Sequence, residues 1–161
     1  MVIAIVLIVI LIIFGIIYWL LFKEYANVMA IFETLIKVLD TRNLVLMRIL
    51  SEIKDKQIKN EMSNLVAQRL DTKQLYNDKL IELDVKMNKK LDRIYSELDK
   101  SKNPIVKEEL KKLINFEKNL KKIRREYNKV VDEYNDRIVK HPKLMMKFLK
   151  MRPFNTYDIK Q

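Results

Sequence analysis

Residues 113–134, LINFEKNLKKIRREYNKVVDEY, carry the most regular pattern in the chain. Leu113, Phe116, Leu120, Ile123, Tyr127, Val130 and Tyr134 recur at alternating steps of three and four. That spacing predicts a helix with an apolar seam for packing against other helices. Upstream, Asn103-Pro104 reads as its start, because Asn caps a helix and Pro suits the first helical position. Downstream, His141-Pro142 reads as its end, because the residue before a proline is pushed out of the helical region. Segment 61–100 shows a similar stripe in Tyr76, Leu80, Leu83, Met87, Leu91, Ile94 and Leu98. Segment 24–59 shows another in Val28, Ile31, Phe32, Leu35, Val38, Leu39, Leu44, Met47, Leu50 and Ile53. The expected fold is all-α: about three long antiparallel helices over residues 23–142, burying their stripes against one another. Assembly of copies into a two- or three-stranded coiled coil, a homo-oligomer, is the alternative use of the same stripes.

Composition narrows the chemistry. The 161 residues include no Cys, one His, one Gly and three Pro. Disulfides, thiolate catalysis and Cys-ligated zinc are thereby excluded. A single Gly excludes glycine-rich phosphate loops and dinucleotide fingerprints. Scarce Gly and Pro also argue against an all-β fold, which needs turn residues every ~8–12 positions.

Residues 1–22, MVIAIVLIVILIIFGIIYWLLF, contain no charged side chain. At 1.5 Å per residue such a helix reaches ~33 Å, enough to cross a ~30 Å hydrocarbon core. Tyr18 and Trp19 fall where an interfacial aromatic belt would lie, and Lys23 can snorkel to the headgroups. A cleaved signal peptide would need a basic start, a shorter apolar run and a small-residue cleavage site, which this stretch lacks. Residues 1–22 are therefore expected to be a transmembrane anchor in the lipid bilayer of the plasma membrane. Lys23, Lys37 and Arg42 come after it, so the positive-inside tendency places the N-terminus outside and the C-terminal domain in the cytoplasm.

The formal net charge of +11 belongs entirely to the chain after Phe22. His141 has no Cys or second His to make a metal site with, and reads as a helix-end residue. The carboxylates Glu108, Glu109, Asp132, Glu133 and Asp136 mostly have Lys or Arg three or four positions away, the pattern of a solvated face. No catalytic residue, cofactor or metal is expected, and an enzyme is disfavoured. The cluster 118–125 offers Lys121, Lys122, Arg124 and Arg125 as contacts for anionic lipid. Glu117 and Glu126 flank it, and Leu120 and Ile123 interrupt it, which counts against nucleic acid. Residues 143–161 form a basic amphipathic tail in which Lys143, Lys147 and Lys150 share one helical face. That face suits a membrane interface, and folding back onto the bundle is the equal alternative.

Residues 124–142 also resemble the signature of the LemA family. Two Tyr-Asn pairs seven positions apart, Tyr127-Asn128 and Tyr134-Asn135, are followed by Ile138 and Pro142. Asp40-Thr41-Arg42-Asn43-Leu44-Val45 is similar to a second family motif, without its usual Pro, and the Gly-Phe after the last helix is missing. The resemblance implies a single-pass bacterial membrane protein with an elongated antiparallel helical bundle, and it supplies no reaction. On their own physics, Tyr127 and Tyr134 bury ring area in the seam while each hydroxyl needs a partner. Asn128 and Asn135 lie beside the seam, set to bond a neighbouring helix or an unidentified protein partner. The expectation is a membrane-anchored scaffold or interaction module; the second reading is a module for anionic lipid or nucleic acid that uses cluster 118–125 and the tail.

Overall fold

The computed structural model describes residues 2–72, 78–140 and 151–157. Four helices account for nearly all of them: α1 Val2–Ile49, α2 Lys56–Asp71, α3 Asp78–Leu98 and α4 Pro104–Val139. No strand occurs among the described residues. Segment 61–100 thus spans two helices, with the described stripe residues Leu80 to Leu98 all in α3, and the first break falls at residues 50–55 rather than near 60. There, a 3-10 turn at Leu50–Glu52 leads into extended Ile53, and Asp55 caps α2 by accepting from the Gln57 and Ile58 amides. Across the break, the carboxylate of Glu97 on α3 accepts from the Lys54 and Asp55 amides, so exposed backbone donors in the turn find a partner. Asn103 caps α4 as expected: its Oδ1 accepts from the Ile105 amide at 3.0 Å, with Pro104 as the first helical residue. α4 ends at Val139; His141 and Pro142 lie outside the described residues.

No break separates the apolar stretch from the amphipathic part of the same helix. α1 passes through Phe22 and Lys23 without interruption, in keeping with the absence of Gly or Pro there. Among the described residues it is the one helix long and apolar enough to cross a membrane, and its most apolar window is wholly exposed. The Lys23 ammonium lies over the Trp19 ring at 5.8 Å.

The chain divides into two compact units, and α1 and α4 each contribute residues to both. The first unit comprises Met1–Ile31 and Glu126–Thr156. Its interior holds Val28, Tyr127, Val131, Tyr134 and Phe154. Tyr25, Tyr134 and Phe154 form a tilted aromatic trio with ring centroids 5.2–6.2 Å apart. The second unit comprises Phe32–Arg125 and Tyr157–Gln161. Its core draws Leu46 and Ile49 from α1, Met62 and Val66 from α2, Met87 and Ile94 from α3, and Leu110 and Leu113 from α4.

The buried rows keep a strict alternation of three and four that differs from the purely apolar reading. In α1 the row is Val28, Phe32, Leu35, Leu39, Arg42, Leu46, Ile49, while Leu44 and Met47 are half exposed. In α3 it is Leu80, Asp84, Met87, Leu91, Ile94, Leu98, with Leu83 buried alongside. In α4 it is Leu113, half-buried Glu117, Leu120, Arg124, Tyr127, Val131, Tyr134, with Phe116 and Val130 also only partly buried. Where the expected seams jumped to a neighbouring apolar residue, the actual rows pass through a charge.

Candidate functional site

Those charges meet. Arg42 and Asp84 are fully buried, and Arg124 is 7 % exposed. Arg42 Nη1 donates to Glu117 Oε1 at 2.9 Å, and its Nη2 lies 2.9 Å from Asp84 Oδ1. Arg124 donates to Asp84 Oδ2 through Nε at 3.0 Å and Nη2 at 2.7 Å. Asn43 Oδ1 accepts from Arg42 Nε and Nη2, while Asn88 Oδ1 accepts from Arg42 Nη1 and Arg124 Nη2. Two guanidiniums and two carboxylates from α1, α3 and α4 thus form a charge-neutral junction in the core of the second unit. Burial alone would weaken the Arg42 charge; Asp84 first and then Glu117 more than offset it, so its proton is held above the ordinary arginine range. A third buried arginine, Arg69 on α2, pairs with Asp40 at 2.8 Å. Burial raises the Asp40 carboxyl above its usual range against the pull of Arg69.

Beside the junction, a cavity of about 590 Å³ runs between α3 and α4. Val85, Asn88, Lys89, Asp92 and Tyr95 line it from α3, Ile114, Glu117, Lys118, Lys121 and Arg124 from α4, and Tyr157 from the tail. The Tyr157 ring packs 5.8 Å from the Arg124 guanidinium. Burial, with Asp84 next, pushes the Tyr157 phenol well above its usual range. Burial and then Glu117 do the same at Tyr95.

In the first unit the tail docks on α4. Asn135 Nδ2 donates to the Phe154 carbonyl at 2.8 Å, and its Oδ1 accepts from the Phe154 amide at 3.0 Å. The side-chain amide thus supplies both halves of a backbone-like pair. Tyr127 donates from its hydroxyl to the Asn155 carbonyl at 3.0 Å. Tyr134 is buried in the aromatic trio with no hydrogen-bond partner for its hydroxyl among the described residues. Burial, then Tyr25 and Glu24, push its phenol up to about 12.

The structure sorts the residues singled out from the sequence. Tyr127 and Tyr134 are interior as expected, Asn135 binds this chain's own tail, and Asn128 is half buried. Lys121, Lys122 and Arg125 are exposed. Arg124 is drawn into the core by Asp84, so its charge is not part of an exposed lipid-facing set. Pro142, Lys143, Lys147, Lys150 and the expected interfacial tail helix lie outside the described residues, as does Tyr76. Sequence reasoning missed Arg42, Asp84 and Glu117 as a set, although a strict heptad count lands on each. Among the described residues no group of three or more His, Cys, Asp or Glu could hold a metal. No family model, curated protein or solved structure matches the chain.

Proposed function

We propose that this chain is a single-pass membrane protein of the LemA type whose antiparallel helical bundle acts as a non-catalytic scaffold for a protein partner. The observation that carries the reading is the contrast within α1. Residues 2–20 leave an uncharged surface exposed apart from half-buried Ile17, while Leu21 is buried and from Val28 onward the same helix buries one residue every three or four. An exposed apolar cylinder about 28 Å long calls for hydrocarbon around it, and the stacked Lys23–Trp19 pair suits the headgroup boundary. Antiparallel pairing is supported by early α3 meeting late α4 at Asp84–Arg124, while Leu98 and Val106 share the core at the other end. The exposed Lys23 and Lys37 support a cytoplasmic bundle.

Because the chain has no Cys, one introduced thiol reports topology without background. Lys129→Cys should resist an impermeant maleimide in intact cells and react after permeabilisation, with the protein remaining in membranes through alkaline carbonate washing. Labelling in intact cells would reverse the orientation, and release by carbonate would remove the anchor. Cross-linking in the membrane followed by purification should recover a stoichiometric protein partner; recovery of this chain alone, or with hydrolytic turnover, would refute the scaffold.

One observation favours the lipid-contacting alternative. Lys121, Lys122 and Arg125 remain exposed together on α4, where each cation near an anionic surface would add about 1 kcal/mol.

A further inference from the structure

We propose that the cavity between α3 and α4 binds a small anionic amphiphile, a molecule with a phosphate-monoester or carboxylate head and a short apolar body. The cations around it, Lys89, Lys118, Lys121 and Arg124, outnumber the acids, Asp92 and Glu117. Tyr95 lines the cavity, and its buried hydroxyl has no hydrogen-bond partner among the described residues. A buried polar atom left in that state calls for a partner from outside the fold. Asn88 spends its Oδ1 on two guanidiniums, and its NH₂ makes no hydrogen bond among the described residues. Arg124 Nη1 reaches only Glu117 Oε2, at 3.6 Å, too far for a hydrogen bond. Tyr95 and Asn88 on α3 and Arg124 on α4 thus offer three donors around the cavity, which match the several lone pairs of an oxyanion head.

The charge balance points the same way. The charge of Glu117 is matched by Arg42, 2.9 Å from its Oε1. Lys89, Lys118 and Lys121 are exposed at the rim and form no ion pair among the described residues, against Asp92 as the one remaining acid. Cations over buried donors attract an anion, and the fixed dipoles then discriminate among anions.

The apolar body and the size are set by the walls. Val85 on α3, Ile114 on α4 and the Tyr157 ring supply the apolar lining. The lining residues on each helix cover eleven positions, about 15 Å along the axis. The volume, about 590 Å³, lies within the ~300–1,000 Å³ of small-molecule pockets. A partner helix, ~10–12 Å across with its side chains, does not fit between helices joined by a 2.7 Å ion pair.

The test uses the full chain in nanodiscs of zwitterionic lipid, titrated calorimetrically with hexyl phosphate. Saturable binding is expected, tighter than for inorganic phosphate and absent for hexanol. Tyr95→Phe deletes one donor to a charged head and should weaken binding about tenfold. Lys118→Ala with Lys121→Ala, both at exposed positions, should weaken it at least as much, with the thermal midpoint unchanged. Phosphatidic acid added to the nanodisc should compete if the head belongs to a bilayer lipid; undiminished binding assigns it to a soluble molecule, and either result supports the site. No saturable binding, equal binding of hexanol, or full affinity in both variants would overturn the proposal. So would capture of an acidic helical peptide without competition by hexyl phosphate.

Discussion

Asp84→Asn tests the buried junction most directly, because it removes one charge while keeping the side chain's shape. In the native chain two guanidiniums face two carboxylates, and Asp84 is the one carboxylate that holds Arg124 by hydrogen bonds at 2.7 and 3.0 Å. Without it, Glu117 alone faces both arginines, 2.9 Å from Arg42 but 3.6 Å from Arg124. An Asn amide would also point donors at donors. Breaking a buried ion pair on one side typically costs about 3–5 kcal/mol, since the remaining charge stays desolvated. For a domain of this size that is a fall in thermal midpoint of about 10–20 °C, read from the helical circular-dichroism signal. Glu82→Gln, which loses an exposed pair with Lys86, should leave the thermal midpoint nearly unchanged. Adding Arg124→Met to Asp84→Asn leaves Arg42 against Glu117, charge-matched again, so the double variant should be more stable than Asp84→Asn alone. A loss below about 1 kcal/mol for Asp84→Asn, or a double variant equal to the sum of its singles, would refute the reasoning.

Three further outcomes are expected. Val131→Ala should cost about 2 kcal/mol by denaturant titration and Val130→Ala less than half of that, because the buried row passes through Val131. Asn135→Ala should speed hydrogen exchange at the Phe154 amide and cost about 1–2 kcal/mol, since both arms of the clamp are lost. Raised phenol groups make the folded chain hold protons that the unfolded chain, with tyrosines near 10, gives up. Stability should therefore be level below about pH 10 and fall as pH rises toward the Tyr134 value of about 12, and Tyr134→Phe should flatten that fall in alkaline melting curves.

The helical class, the apolar stretch of α1 and the Asn103-Pro104 boundary were legible because each is written in local sequence: period, absence of charge, and cap chemistry. The break at residues 50–55 was less so. Its cap, Asp55, sits among Lys54, Lys56 and Lys59 and reads as part of a charged face. The junction was hidden by the rule used to find the core. Following apolar residues alone leads from Leu39 to Leu44, from Leu80 to Leu83 and from Leu113 to Phe116, stepping around Arg42, Asp84 and Glu117. Only partners from other helices make those charges bearable inside, and no local pattern announces them. The return of the tail to the bundle was one of two open readings, but its anchor was not legible for the same reason: Asn135 is bonded to Phe154, nineteen positions away.

The junction also fixes how far the helices can slide. Leu, Ile and Val rows at a heptad spacing would bury nearly as much apolar area if one helix moved past another by seven residues, about 10.5 Å. Such a slide would set the Arg42 guanidinium against aliphatic side chains and strand Asp84 with no cation. With its charges drawn from three helices, the arrangement is satisfied in one alignment, so it works as an index mark along otherwise repetitive rods.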